Sequence, residues 1–152
     1  RMRMDTDRPS FIFSSQIPRA DARTNGASLF RKICASCHLS SGEGIKGLAP
    51  PLTGSAYVSK HIEQLGLIIL HGLKGPLLID GEVYDEGHQM PGLKNNKDLS
   101  DRDIADIISY ITNAFSNNSK SLGIEEIKKL RVRKAKDGME FTEEELLESI
   151  KK

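Results

Sequence analysis

Both cysteines of the chain fall in one short stretch, Cys34-Ala35-Ser36-Cys37-His38, where the second is followed at once by a histidine. Two thiols separated by two residues can act on one object, while the adjacent imidazole offers a nitrogen donor. Three chemistries use such a group. A redox dithiol opens a helix after a buried strand, where the helix N-terminus lowers a thiol pKa; here residues 24–33 read as a helix, so the cysteines close one instead. A structural zinc site takes four ligands, and Cys34, Cys37 and His38 lack a fourth at finger-like spacing. The third chemistry is covalent attachment of a c-type haem. Its two vinyl groups sit on neighbouring pyrroles within reach of both thiols, and His38 can place a nitrogen on the iron. Haem is the leading reading, with a disulfide or zinc site as the lesser alternatives.

Composition is consistent with a cofactor-filled interior. In 152 residues, of which 38% are apolar, there is material for one modest domain with extensions but only a thin core. The chain has no tryptophan and only five Phe and three Tyr, so a porphyrin would be the largest apolar object inside it. The net charge of +1 is not strongly segregated, which gives no footing for nucleic acid. The basic run Arg131, Arg133, Lys134, Lys136 has too little aromatic character nearby for a stacking platform and reads as a solvated helix face. The longest apolar run, Leu67 to Leu70, falls far short of the ~20 residues of a membrane-spanning helix. The start, Arg1-Met2-Arg3-Met4-Asp5, has no apolar region of signal-peptide kind after it. The expectation is a leader already removed or a segment of a longer protein.

Residues 1–23, with the apolar patch Phe11-Ile12-Phe13, read as an N-terminal arm. A helix follows from Thr24 or Asn25 as cap, with Ala27, Phe30, Ile33, Cys34 and Cys37 on one face. Gly26 either begins this helix or allows a second helix to approach closely. The glycine- and proline-rich stretch 40–54 reads as irregular loop, and a rigid carbonyl near Pro50 is the candidate acceptor for the other ring nitrogen of His38. Residues 58–71 read as a helix with Val58, Ile62, Leu65 and Ile69 on one face, closed by Gly72; His61 and His71 on it read as ordinary histidines. Asp80-Gly81 between Leu77-Leu78-Ile79 and Glu82-Val83-Tyr84 predicts a hairpin lying near the haem edge. Met90, braced by Pro91, is the candidate sixth iron ligand, with His88 as its rival.

Ser100 opens a further helix with Asp103 as capping box and Leu99 with Ile104 as staple, and its stripe is Ile104, Ile107, Ile108, Ile111 and Phe115. Residues 118–152 carry two amphipathic pieces, one around Ile124, Ile127 and Leu130 and one opening at Thr142 with Glu145. Their docking place is open: the haem domain, a partner or another domain.

Taken together, Gly26…Phe30…Cys34-x-x-Cys37-His38…Pro50-Pro51-Leu52-Thr53-Gly54…Met90-Pro91 and a terminal helix, over about residues 24–117, resemble the class I c-type cytochromes. The resemblance implies a mainly α, cytochrome c-like fold around one covalently bound haem c, with a small β-hairpin insertion and a helical C-terminal extension. It also implies thioethers at Cys34 and Cys37, axial ligands His38 and Met90, and a Pro50 carbonyl accepting from His38. Gly26 and Phe30 would face the last helix near Tyr110. His71-Gly72-Leu73-x-Gly75-Pro76, the hairpin and Met90-Pro91-Gly92 more narrowly resemble cytochrome modules of bacterial multidomain dehydrogenases.

The implied function is single-electron transfer, as a domain of a larger redox protein or as a periplasmic shuttle. The chain would then be an electron carrier and not itself an enzyme. Its partner would be a redox protein or an adjoining dehydrogenase domain, and its location periplasmic or on an outward-facing membrane surface. The alternative is a five-coordinate or bis-His haem protein that binds a small ligand.

Overall fold

Helix pairing near Gly26 sets the frame. The computed structural model describes residues 18–85 and 89–151, with side chains from Arg23 onward; the Phe11-Ile12-Phe13 patch, Met2, Met4 and His88 lie outside the described residues. In chain order the elements are α1 (Pro18–Leu29), a π-helical turn (Phe30–Cys34), α2 (Ala35–His38), α3 (Ala56–Ser59), α4 (Ile62–His71), the short strands β1 (Gly72–Leu73), β2 (Leu77–Ile79), β3 (Glu82–Tyr84) and β4 (Met90–Pro91), then α5 (Asp101–Asn113), α6 (Ile124–Arg131) and α7 (Glu143–Lys151). The architecture is mainly α.

Helix α1 starts earlier than the expected Thr24 or Asn25, with Pro18 as its first residue, a position where a missing N–H costs nothing. Asn25 therefore caps nothing. Its side-chain amide reaches across to α5 and donates to Asp103 and Asp106, at 2.9 Å each. One turn of backbone then lies over Gly26, where a Cβ would overlap the carbonyl oxygen of Asp106 and come within 2.9 Å of Tyr110 Cβ. Of the two readings of Gly26, close approach is the one observed. Phe30 is fully buried beyond it, with ring centroids 5.4 Å from Tyr110 and 5.3 Å from Phe115.

The Ser100 capping box forms as the sequence expects: Asp103 N–H donates to Ser100 Oγ at 3.1 Å and Ser100 N–H donates to Asp103 Oδ2 at 2.9 Å. Ile104, Ile107 and Ile108 are fully buried. Phe115 is not on this helix, which ends at Asn113; it sits in the following turn at φ +54° and joins the aromatic cluster from there.

Two further expectations change. The single helix expected over 58–71 is two, α3 and α4, broken at Lys60 and His61. Helix α4 is buried from Gln64 to His71, on all sides and not on one face, because the C-terminal extension covers the side the sequence pattern leaves open. Gly66 faces the side chains of Leu130 and Leu122, and His71 Nε2–H donates to the Leu130 carbonyl at 2.8 Å. The docking question left open by the sequence is thus answered: α6 and α7 lie on the helical body. The basic run is not a helix face either. Helix α6 ends at Arg131, whose guanidinium pairs with Asp101 at 2.7 Å, while Arg133, Lys134 and Lys136 are exposed in the connection that follows.

Strands β2 and β3 form the expected antiparallel hairpin, with Leu78 opposite Val83. Asp80 and Gly81 take φ +50° and +81°, the left-handed pair of a tight two-residue turn.

Candidate functional site

An apolar cavity opens between the Cys-x-x-Cys-His turn, the proline loop, α4, the hairpin and β4, and holds about 1290 Å³ of atom-free space, including its open mouth. Cys34, Cys37, His38, Pro50 and Met90, far apart in sequence, all line it. The other walls are mainly apolar, among them Phe30, Leu65, Ile68 and Ile69.

The π-helical turn ends at Cys34, so the chain is locally underwound just before the motif; such turns interrupt the 3.6-residue period and re-aim side chains, often at functional sites. The helix then closes at His38, whose successor Leu39 has φ +65°. Cys34 is partly buried and Cys37 is exposed at the mouth. Burial, with the nearby Cys37 adding to it, pushes the Cys34 thiol pKa up to about 11. A thiol so raised is a poor redox nucleophile, which runs against the dithiol reading. Among the described residues no group of three or more His, Cys, Asp and Glu side chains is gathered as a metal cage.

His38 is buried, and its Nδ1 lies 3.0 Å from the Pro50 carbonyl oxygen. A carbonyl only accepts, so Nδ1 carries the proton and Nε2 keeps its lone pair. Burial lowers the His38 pKa, the Pro50 bond opposing it only in part; the imidazole stands neutral, the form that ligates a metal. Pro50 is in turn held by its loop. Asn117 donates to the Leu52 carbonyl at 2.9 Å and accepts from the Gly54 N–H at 3.2 Å, tying the proline loop to the end of α5.

Met90 lies on β4, antiparallel to β1, with Leu73 opposite Met90 and Gly72 opposite Pro91. The next residues seal the C-terminus of α4, Leu93 N–H donating to the Ile69 carbonyl and Lys94 N–H to the Leu70 carbonyl, at 2.9 Å each. Gly92 permits this: a Cβ there would run into the backbone of Leu70 and His71. The methionine segment is thus pinned by backbone bonds on two sides.

The hairpin expected at the haem edge does line the cavity, through Leu77, Ile79 and Tyr84. Sequence reasoning missed Tyr57, which also lines it and whose O–H donates to Glu143 of the extension at 3.1 Å. Burial first, and the Glu143 carboxylate second, push the Tyr57 phenol pKa well up. No local pattern announces a contact between residues this far apart.

Two thiols at the mouth of an apolar cleft, a neutral imidazole with a free lone pair and a thioether on a pinned strand define a protein built around a covalently attached haem. Comparison with known proteins places it more closely. The Cytochrome c family model matches residues 24–115, and the chain belongs to the cytochrome c family. It is 33% identical over 125 residues to "Cytochrome c-552" of Thermus thermophilus, covering 74% of this chain and 78% of that one. It is 30% identical over 108 residues to the cytochrome c subunit of "Alcohol dehydrogenase (quinone)" of Gluconobacter oxydans, covering 70% of this chain and 22% of that one. A further relative is the "Fructose dehydrogenase cytochrome subunit" of Gluconobacter japonicus, 30% identical over 113 residues, with 71% and 22% covered. The protein carries haem c, covalently bound, and serves electron transfer.

Proposed function

We propose that the chain is a single-electron carrier whose iron is held between His38 Nε2 and the Met90 sulfur, with thioethers at Cys34 and Cys37 and the Pro50 carbonyl orienting His38. The observation that carries this reading is the 3.0 Å bond from His38 Nδ1 to Pro50, because it fixes the tautomer that leaves Nε2 free for iron. Met90 supports it by lining the same cavity from a separate, pinned segment.

The bound haem supplies a one-electron ferric–ferrous couple, and the protein tunes it. Apolar walls and a thioether both favour the reduced form, raising the potential above that of bis-His ligation. Proline and Asn117 hold His38, and the β1 bonds hold Met90, so little of the protein has to move when the charge changes.

By analogy with the dehydrogenase subunits named above, the partner is a dehydrogenase or other redox protein. We place the chain outside the cytoplasm, residues 24–117 forming the haem domain and 118–152 an extension. Among the described residues no helix is long and apolar enough to cross a membrane.

Met90→Ala, made in the haem-loaded protein, tests the ligand set. The far-red sulfur-to-iron band of the ferric form should disappear, the potential should fall, and the ferrous form should bind carbon monoxide rapidly. A parent protein that lacks the band and already binds carbon monoxide rapidly would favour the five-coordinate alternative.

A further inference from the structure

Residues 141–143 of the extension meet the cleft from outside at three places. Phe141 pairs in parallel with Leu73 of β1; its N–H donates to the Gly72 carbonyl at 3.1 Å, and its carbonyl accepts from Lys74 N–H at 2.9 Å. Strand β1 therefore has Met90-Pro91 on one edge and Phe141 on the other. Two residues later the Glu143 carboxylate divides its oxygens: Oε1 accepts from Leu78 N–H at 3.0 Å and Oε2 from Tyr57 O–H at 3.1 Å. Leu77, next to Leu78, and Tyr57 are both cavity walls. Glu143 thus ties the hairpin, which pairs with no further strand among the described residues, to the α3 wall of the same cavity.

We propose that Glu143 is a positioning residue of the haem cleft, joining its hairpin wall to its Tyr57 wall and, with Phe141 on β1, restricting access of other ligands to the sixth iron position. This rests on the reading of Met90 as the sixth ligand. The physical basis is that two walls joined through one carboxylate cannot separate without breaking a charge-assisted hydrogen bond. A two-stranded hairpin alone is marginal; this one packs Leu77, Ile79 and Tyr84 on the core, and the Glu143 bond adds a polar tie to the Tyr57 wall. The α7 helix supplies the rigid base, with Thr142 and Glu145 forming its own capping box.

The test uses the full haem-loaded chain and imidazole as the competing ligand of the ferric iron. Glu143→Ala should strengthen imidazole binding about tenfold, the scale of one lost charge-assisted hydrogen bond, and weaken the far-red band. Glu143→Gln, which can still accept from Leu78 N–H and donate to Tyr57 O, should restore both to near the parent values. Ser149→Ala is the control: it removes the 2.9 Å bond between Gln64 and α7 without touching the cleft, and should lower the melting temperature while leaving imidazole affinity unchanged. Unchanged imidazole affinity in Glu143→Ala overturns the proposal, and so does a rise in Ser149→Ala as large as in Glu143→Ala. Met90→Ala measured alongside separates the underlying reading: if it keeps the band, Met90 is not the ligand; if it loses the band while Glu143→Ala behaves as the parent, only the positioning role fails.

Discussion

At Gly26 two opposite effects of one methyl group can be weighed. Alanine is favoured over glycine inside a helix by about 1 kcal/mol, so on α1 alone Gly26→Ala would stabilise. The added Cβ, however, meets the backbone carbonyl of Asp106, not a side chain that could swing away. Overpacking of this kind costs about 1–3 kcal/mol, and more where backbone must move. We expect the clash to win, with net destabilisation in denaturant titrations of the haem-loaded protein. A variant as stable as the parent would mean that α1 and α5 can part without cost. The glycine's place on the buried face of a helix was legible in the sequence, but which of two roles it plays was not, since the obstacle belongs to a helix some eighty residues on. The same holds for Asn25, whose residue type suggests a cap and whose contacts are Asp103 and Asp106.

Between elements, the junction of α4 with the extension turns on His71. Nε2–H is spent on Leu130, Nδ1 is buried with no partner among the described residues, and the ring packs on Phe141 at 5.3 Å. Burial lowers the His71 pKa, with Lys94, Arg133 and Arg131 adding to it against the Leu130 bond. The unfolded chain, near pH 6.5, then binds a proton more readily than the folded one, so stability is present above that pH and is lost as pH falls through the window below it. Denaturation midpoints of the haem-loaded protein should drop as pH falls below about 6.5, and His71→Gln should flatten that dependence. An equal drop in His71→Gln would put its cause elsewhere. The two amphipathic pieces of the extension were visible from their periodicity, and the Thr142 and Ser100 boxes from spacing alone. Their destination was not, because the pattern of α4 marks one buried face and gives no sign of what covers the other. The π-helical turn escaped notice for a related reason: a one-residue slip in a helix leaves composition and periodicity almost unchanged.

For the whole molecule, the cavity between five segments is the main fact of stability. Its walls are drawn from Phe30, the proline loop, α4, the hairpin and β4, and without haem those apolar surfaces face one another across a gap that packing cannot tolerate. Chain produced with Cys34 and Cys37 both changed to Ala, and freed of haem, should lose its cooperative thermal transition and part of its helical far-ultraviolet signal. A sharp transition at the parent temperature would show a core that closes on its own. The cleft's chemistry was the most legible part of the protein, since cysteine spacing and proline type are local. Its outer wall was the least legible, since Tyr57, the hairpin and Glu143 meet only in the folded chain. That wall also has an order in time. Synthesis runs from N- to C-terminus, so the thiols at 34 and 37 exist more than a hundred residues before Phe141 and Glu143 do. While the chain is being made, the haem-receiving cleft therefore exists for a time without the segment that straps it from outside.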